Sequence, residues 1–150
     1  MKKTYLLAAM AAIAVISLAV ITPAGATPAG KQQAEILGPV VRNDDGTATV
    51  RARYICPEGF HLWVSAKQSE KGTPDQRLRL EGSSQIAAAW LQSHPAPGTF
   101  TCDGKWHTDT FQIDTAEQGF GEFQQGQAWV QFCLIGENTF ISKSRWVSVR

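Results

Sequence analysis

Residues 47–56, TATVRARYIC, decide the fold class that we expect for this chain. Small, apolar or aromatic residues occupy every second position: Ala48, Val50, Ala52, Tyr54 and Cys56. The positions between them include Thr49, Arg51 and Arg53, which are polar or basic. Because successive side chains of a strand point to opposite faces, this pattern predicts a strand with one face on a core. The preceding Asn43-Asp44-Asp45-Gly46 predicts a hairpin turn.

The same alternation continues along the chain, with turn signals such as Pro57-Glu58-Gly59 between the predicted strands. Short strands are also expected at residues 77–81 and 100–102. Residues 83–91 permit a strand or a helix, and the neighbouring strands favour a strand. About eight short strands with no long helix predict an all-β fold, an antiparallel immunoglobulin-like β-sandwich.

The N-terminus carries the features of a helical secretory signal peptide in the right order. Lys2 and Lys3 precede an uncharged apolar run at residues 5–21, and the small residues Ala24-Gly25-Ala26 follow it. We expect cleavage after Ala26 by the general secretory route. An uncleaved anchor is the alternative, because the run is close to the roughly 17-residue minimum for crossing a bilayer.

The expected domain organisation follows from this cleavage. Residues 1–26 are the signal peptide, residues 27–35 a flexible leader, and residues 36–150 one domain of a secreted, extracellular protein. Loss of Lys2 and Lys3 from the 14 basic residues leaves 12, against 13 acidic ones. With no basic patch in a nearly neutral chain, we expect no nucleic-acid partner, and no membrane association after cleavage.

Five stretches of the chain share a pattern with a known group of domains: DGTATVRARYIC (45–56), WVSAKQ (63–68), TFTCDGKWH (99–107), GQAWVQF (126–132) and WVSV (146–149). Together they resemble small secreted immunoglobulin-like domains of bacteria of the actinobacterial type. The resemblance covers most of residues 36–149. It implies a sandwich fold and a disulfide between Cys56 and Cys102. It implies no activity, and Cys133 departs from the pattern.

The three cysteines are expected to form one disulfide, because export places them in an oxidising compartment. Cys56 and Cys102 fall on inward phases of their strands. Cys133 alternates with Phe132 and Leu134, which we expect in the core, so it faces outward. A disulfide between Cys56 and Cys102 is favoured, because both fall on inward positions of their strands. The rival is Cys56 with Cys133, which would imitate the inter-sheet bridge of antibody domains. An unpaired Cys133 is either buried and inert or the link in a covalent homodimer.

Five tryptophans are a surplus for a domain of this size. Some should be core residues, and we expect Trp90 or Trp106 there. If the strands follow immunoglobulin order, three others lie on one outward face. The candidate binding face consists of Trp63, Trp129, Trp146, His61 and Gln131. Clustered exposed aromatics mark contacts, here with an extracellular protein or a glycan. The alternatives are that a loop or the N-terminal segment covers this face, or that its inward and outward phases are reversed.

No catalytic signature is present, so we expect no catalytic residues. His107 and Asp109 share a strand face but lack a third ligand, so we expect no metal and no cofactor. The resulting hypothesis is a secreted, non-enzymatic interaction or binding module. The alternatives are a carbohydrate or small-molecule binder that uses the tryptophan face, and a small secreted hydrolase without a recognisable motif.

Overall fold

The structure is a computed structural model and describes residues 31–150; the predicted signal peptide lies outside these residues. The described chain contains seven strands: β1 (Gln33–Arg42), β2 (Ala48–Ile55), β3 (His61–Gln68), β4 (Ala89–Ser93), β5 (Trp106–Ile113), β6 (Gly126–Ile135) and β7 (Phe140–Val149). Two short 3₁₀ helices, Gln76–Arg79 and Ser83–Ile86, lie between β3 and β4. The all-β prediction is confirmed. Among residues 31–150, no helix is long and apolar enough to cross a membrane.

The strands form one curled, mixed sheet in the order β4-β3-β6-β7-β1-β2-β5. All pairs are antiparallel except β1 with β7, so the expectation of a purely antiparallel arrangement is wrong at this contact. The cause lies in β1. Residues 33–37 pair with β2. After Gly38-Pro39, Val40 pairs with Val149 of β7, and Val41 and Arg42 then pair with β2 again in a shifted register. Gly38 has φ +64°, and proline has no N–H to donate, so the ladder with β2 is interrupted here and β1 contacts β7.

The two ends of the sheet curl toward each other. The Gln92 N–H of β4 donates to the Asp114 carbonyl at 2.9 Å, and the Asp114 N–H returns a bond to the Gln92 carbonyl at 3.1 Å. Asp114 directly follows β5, so these hydrogen bonds join the two edge strands of the sheet, β4 and β5. The molecule is therefore a half-barrel with its core on the inner side.

The inner side carries the predicted inward set. Ala48, Val50, Ala52 and Tyr54 are all buried, together with apolar residues from every other strand. Tyr54 packs against Phe111 and Phe132 with ring centroids 6.0 and 5.8 Å away. The period-two pattern of residues 47–56 is thus the pattern of a strand that faces this core.

Residues 77–81 and 83–91 differ from the strands predicted there. The Asp75 side chain accepts a hydrogen bond from the Arg77 N–H and caps the first 3₁₀ helix. As a result Leu78 is buried but Leu80 is 64% exposed, although both were expected to face inward. The segment 83–91 is divided between the second 3₁₀ helix and the start of β4. A helical cap satisfies backbone groups locally and so competes with strand pairing.

The structure also differs from the predictions at residues 100–102 and at the start of β1. Residues 100–102 form no strand. The strand β1 begins at Gln33, where Gln33 pairs with Ile55, so the last three residues of the predicted leader are ordered. These differences leave seven strands where about eight were expected.

Cys56 and Cys102 form a disulfide, as expected. It joins the end of β2 to the segment before β5. A disulfide is consistent with an extracellular protein. Cys133 is free and buried.

Candidate functional site

The outer side of the half-barrel brings most of the predicted binding face together. The strands β3, β6 and β7 are neighbours, and their register places outward side chains in rows. The rows are Trp63–Cys133–Ser142, Ser65–Gln131–Ser144 and Lys67–Trp129–Trp146. On the far side of β3, the strand β4 adds Gln92 opposite Ser65 and Trp90 opposite Lys67. We call this set of side chains the outer face.

A segment of residues 76–86, the cover segment, lies over one end of the outer face. The Arg79 guanidinium sits 5.3 Å from the Trp129 ring centroid. The Lys67 ammonium donates to the Ser83 hydroxyl at 2.7 Å, and that hydroxyl donates to the Leu78 carbonyl at 2.8 Å. These contacts hold both 3₁₀ helices against β3 and β6.

The cover segment changes what the predicted residues can do. Trp129 is only 7% exposed because Arg79 lies over it, so it cannot meet a partner directly. Its ring packs against Trp146, which is half-buried, at a centroid distance of 5.4 Å. Trp63 and Gln131 are half-buried in the uncovered part, and His61 is exposed at the start of β3. The alternative that a loop covers part of this face therefore describes the Trp129 end.

Neither tryptophan expected in the core is there. Trp106 is 40% exposed on β5, where the Arg53 guanidinium stacks on it at 4.4 Å. Trp90 is half-buried on the outer face because its neighbour Leu91 takes the inward position. The inner core is filled by aliphatic side chains and by the Tyr54, Phe111 and Phe132 rings instead.

A cleft of about 530 Å³ opens between the cover segment and the outer face. This volume is in the range of small-molecule binding sites. Its floor and sides are formed by Trp63, Ser65, Lys67, Arg79, Glu81, Gly82, Ser84, Trp90, Gln131, Cys133, Phe140 and Ser142. Of the predicted site residues, Trp63, Gln131 and the unpaired Cys133 line it. Sequence patterns did not indicate Arg79 or Glu81, because their position depends on how the cover segment folds back. They did not indicate Phe140 either, which lies at the start of β7.

Two indole rings of the cleft are held in place from outside it. The Trp63 indole N–H donates to the Gln92 side-chain oxygen at 2.9 Å, and the His94 ring stacks on Trp63 with centroids 6.3 Å apart. Trp90 meets Phe120 edge-on at 6.4 Å. Rings fixed in this way lose little freedom when a ligand stacks on them.

The floor of the cleft is polar and positively charged. Lys67 is 5% exposed, and burial lowers the pKa of its ammonium. Ser65 is fully buried, and its hydroxyl oxygen has no hydrogen-bond partner among the described residues. Arg79 and Glu81 bring a second cation and one carboxylate to the exposed side.

Two candidate nucleophiles near the cleft, the Ser83 hydroxyl and the Cys133 thiol, are buried. The Ser83 hydroxyl is committed to the Leu78 carbonyl and is buried. Burial raises the pKa of the Cys133 thiol, against the opposing effect of a 3.5 Å contact with the Ser142 hydroxyl. A buried thiol with a raised pKa is a poor nucleophile, and it could form an intermolecular disulfide only if this face opened.

His107 and Asp109, the pair considered as metal ligands, each form a hydrogen bond with a different side chain. His107 bonds to Asp103 at 2.7 Å, whereas Asp109 accepts the Tyr54 hydroxyl hydrogen at 2.5 Å. Within residues 31–150, no group of three or more His, Cys, Asp or Glu side chains is placed to hold a metal ion.

Comparison of the whole chain with models of protein families and with curated proteins finds no match. The residues and the geometry above are therefore the basis for a functional proposal.

Proposed function

We propose that this protein is a secreted, non-enzymatic binding module whose cleft takes a carbohydrate. The observation that carries the proposal is the pair of fixed indoles, Trp63 and Trp90, beside a cleft of about 530 Å³ with a polar floor. A flat apolar ring combined with a few hydrogen-bonding groups is the arrangement that orients a small ligand.

Carbohydrates fit this lining better than a purely apolar ligand. A sugar ring has C–H groups that pack on an indole and hydroxyl groups around its edge that need partners. Gln131 and Ser142 supply an amide and a hydroxyl from the adjacent strands β6 and β7, and Ser65 of β3 adds a buried hydroxyl to the lining. An apolar ligand would leave these groups without partners, which costs free energy in a partly buried site.

A large protein partner is less favoured. A flat docking surface would need Trp129 and Trp146 to be accessible, but Arg79 and the cover segment lie over Trp129. The available surface is concave and small, which suits a small molecule or the end of a chain of sugars.

The immunoglobulin-like fold and the bacterial, exported origin are part of this proposal. The strands β1-β2-β5 on one side and β4-β3-β6-β7 on the other resemble the two layers of a variable-type immunoglobulin domain, with β1 shared between the layers. The Cys56–Cys102 disulfide supports export.

The test is a binding screen followed by matched tryptophan variants. The mature chain is screened against neutral and acidic oligosaccharides, and the hits are titrated by calorimetry. We expect Trp63→Ala and Trp90→Ala each to weaken binding at least tenfold, about 1.4 kcal/mol. Trp106→Ala, which removes an exposed indole from another part of the sheet, should leave affinity unchanged.

Two outcomes would contradict the proposal. One is a screen with no sugar bound at millimolar concentration. The other is affinity that stays the same in Trp63→Ala and Trp90→Ala while both variants remain folded. Chromatography of the sugar after long incubation checks the non-enzymatic part, because a hydrolase would shorten it.

A further inference from the structure

We propose that the cleft selects acidic sugars, and that Lys67 and Ser65 receive the sugar's carboxylate. This inference rests on the proposed function, because it names the class of carbohydrate that the same cleft binds.

Lys67 is the first observation. It is 5% exposed, its one hydrogen bond in the described chain goes to the neutral Ser83 hydroxyl, and it forms no ion pair there. A lysine side chain is long and flexible and normally keeps its ammonium in water, since a buried charge without a counter-charge is costly. An ammonium has three N–H donors, so two remain for a ligand.

Ser65 is the second and independent observation. It lies two residues before Lys67 on β3, so both side chains point to the outer face. Its hydroxyl is fully buried, lines the cleft, and has no partner in the described residues. Two residues along one face of a strand are about 7 Å apart, so the hydroxyl and the ammonium can each donate to one oxygen of the same carboxylate.

The register places this donor pair beside an indole. Lys67 is directly opposite Trp90 across the β3–β4 ladder, where Cβ atoms are about 5 Å apart. A sugar ring stacked on Trp90 would therefore bring a carboxylate attached to the ring to the Lys67 ammonium. Uronic acids have this arrangement of a ring and a carboxylate.

The remaining charges of the cleft set the orientation of the ligand. Arg79 adds a second cation near the Lys67 end, over Trp129. Glu81 lies on an exposed part of the lining, where water and salt screen its repulsion more than they screen the attraction of buried Lys67. The carboxylate should therefore point to the floor and the neutral part of the sugar toward the opening.

The experiment compares two ligands that differ in one group. Oligogalacturonates and galactose oligomers of the same length are titrated against the mature chain at 50 and 300 mM salt. We expect at least tenfold tighter binding of the acidic oligomer. In Lys67→Met this preference should fall at least tenfold, because the acidic oligomer loses the partner of its carboxylate and the neutral oligomer does not. Lys105→Met, which removes an exposed lysine in a turn, is the control.

Lys67→Met is expected to fold, because an apolar side chain of similar length replaces a buried amine. If it does not, Ser65→Ala removes the second donor, and this substitution by itself should lower the preference for the acidic oligomer. Equal affinity for both oligomers, or a preference that survives these substitutions, would overturn this inference and leave the proposed function standing. Failure of both oligomers and of every other sugar to bind would overturn the proposed function itself.

Discussion

Tyr54 shows how one residue links the core to the disulfide loop. Its ring is fully buried between Phe111 and Phe132. Its hydroxyl donates to Asp109 and accepts a hydrogen bond from the Thr101 N–H at 3.3 Å. The inward position of Tyr54 was predicted from the alternation in residues 47–56, but its polar partners were not, since they come from a strand and a loop about 50 residues away.

We predict that Tyr54 makes the protein sensitive to alkaline pH. Burial and then the hydrogen bond to Asp109 raise the pKa of Tyr54 above its ordinary value near 10. A raised pKa means that the folded state favours the protonated phenol. This stabilisation is complete below about pH 10 and is lost as the pH rises from there toward the folded-state value.

The measurement is the free energy of unfolding in urea between pH 8 and pH 12. Tyr54→Phe should cost about 1 kcal/mol near pH 8 through the lost hydrogen bond, and its decline above pH 10 should be shallower than that of the parent. Tyr54 is the single tyrosine of residues 27–150, so absorbance of a parent protein made of these residues reports its titration directly. A parallel decline in both proteins would show that other groups cause the alkaline loss.

At the scale of elements, two segments of the backbone approach each other closely in the loop before the cover segment. The Gln127 N–H donates to the Gly72 carbonyl at 2.7 Å, so the loop after β3 is bonded to the start of β6. Gly72 has φ +62° and Gly126 has φ +149°. A Cβ at Gly126 would collide with the Gly72 backbone, so two glycines are required for this contact.

We predict that Gly126→Ala is strongly destabilising. The substitution combines a strained backbone angle, worth about 1–3 kcal/mol, with a clash against backbone that cannot move freely. Gly98→Ala is the control: Gly98 has φ +92° but open space around it, so this variant carries the backbone cost without the clash. Denaturant titration should show the larger loss for Gly126→Ala. Equal losses would mean that this close approach relaxes without cost.

The cover segment explains why sequence patterns did not predict part of the cleft. Alternation in β3, β6 and β7 is local, so it indicated which side chains share the outer face. Residues 76–86 form no strand. The Asp75 side chain caps a 3₁₀ helix at Gln76–Arg79, and Ser83–Ile86 forms a second 3₁₀ helix. The resulting burial of Trp129 and the position of Arg79 depend on contacts between segments about 50 residues apart.

At the scale of the whole molecule, the disulfide and the cleft belong to the same loop. Cys56 and Cys102 are 46 residues apart, and the chain between them contains β3, the cover segment and β4. The cross-link therefore closes the segment that forms most of the cleft.

We predict that loss of this cross-link lowers stability by about 4 kcal/mol, the chain-entropy contribution expected for a loop of this length. The measurement compares urea midpoints of the oxidised protein, the reduced protein and the Cys56→Ala/Cys102→Ala double variant. Reduction of the double variant is the control and should change nothing, since Cys133 is free in both states. An unchanged midpoint on reduction of the parent would contradict the prediction.

What the sequence alone determined is the local geometry of the chain. Period-two alternation predicted the β class, the inward residues of β2 and the outward position of Cys133, and parity favoured the Cys56–Cys102 pair, because the direction of a side chain on a strand follows from its position alone. The tertiary structure decided the rest. The parallel β1–β7 contact, the fold of the cover segment over Trp129 and the cleft between that segment and the outer face all depend on contacts between distant parts of the chain. No local pattern encodes those contacts, because they form only when the sheet curls.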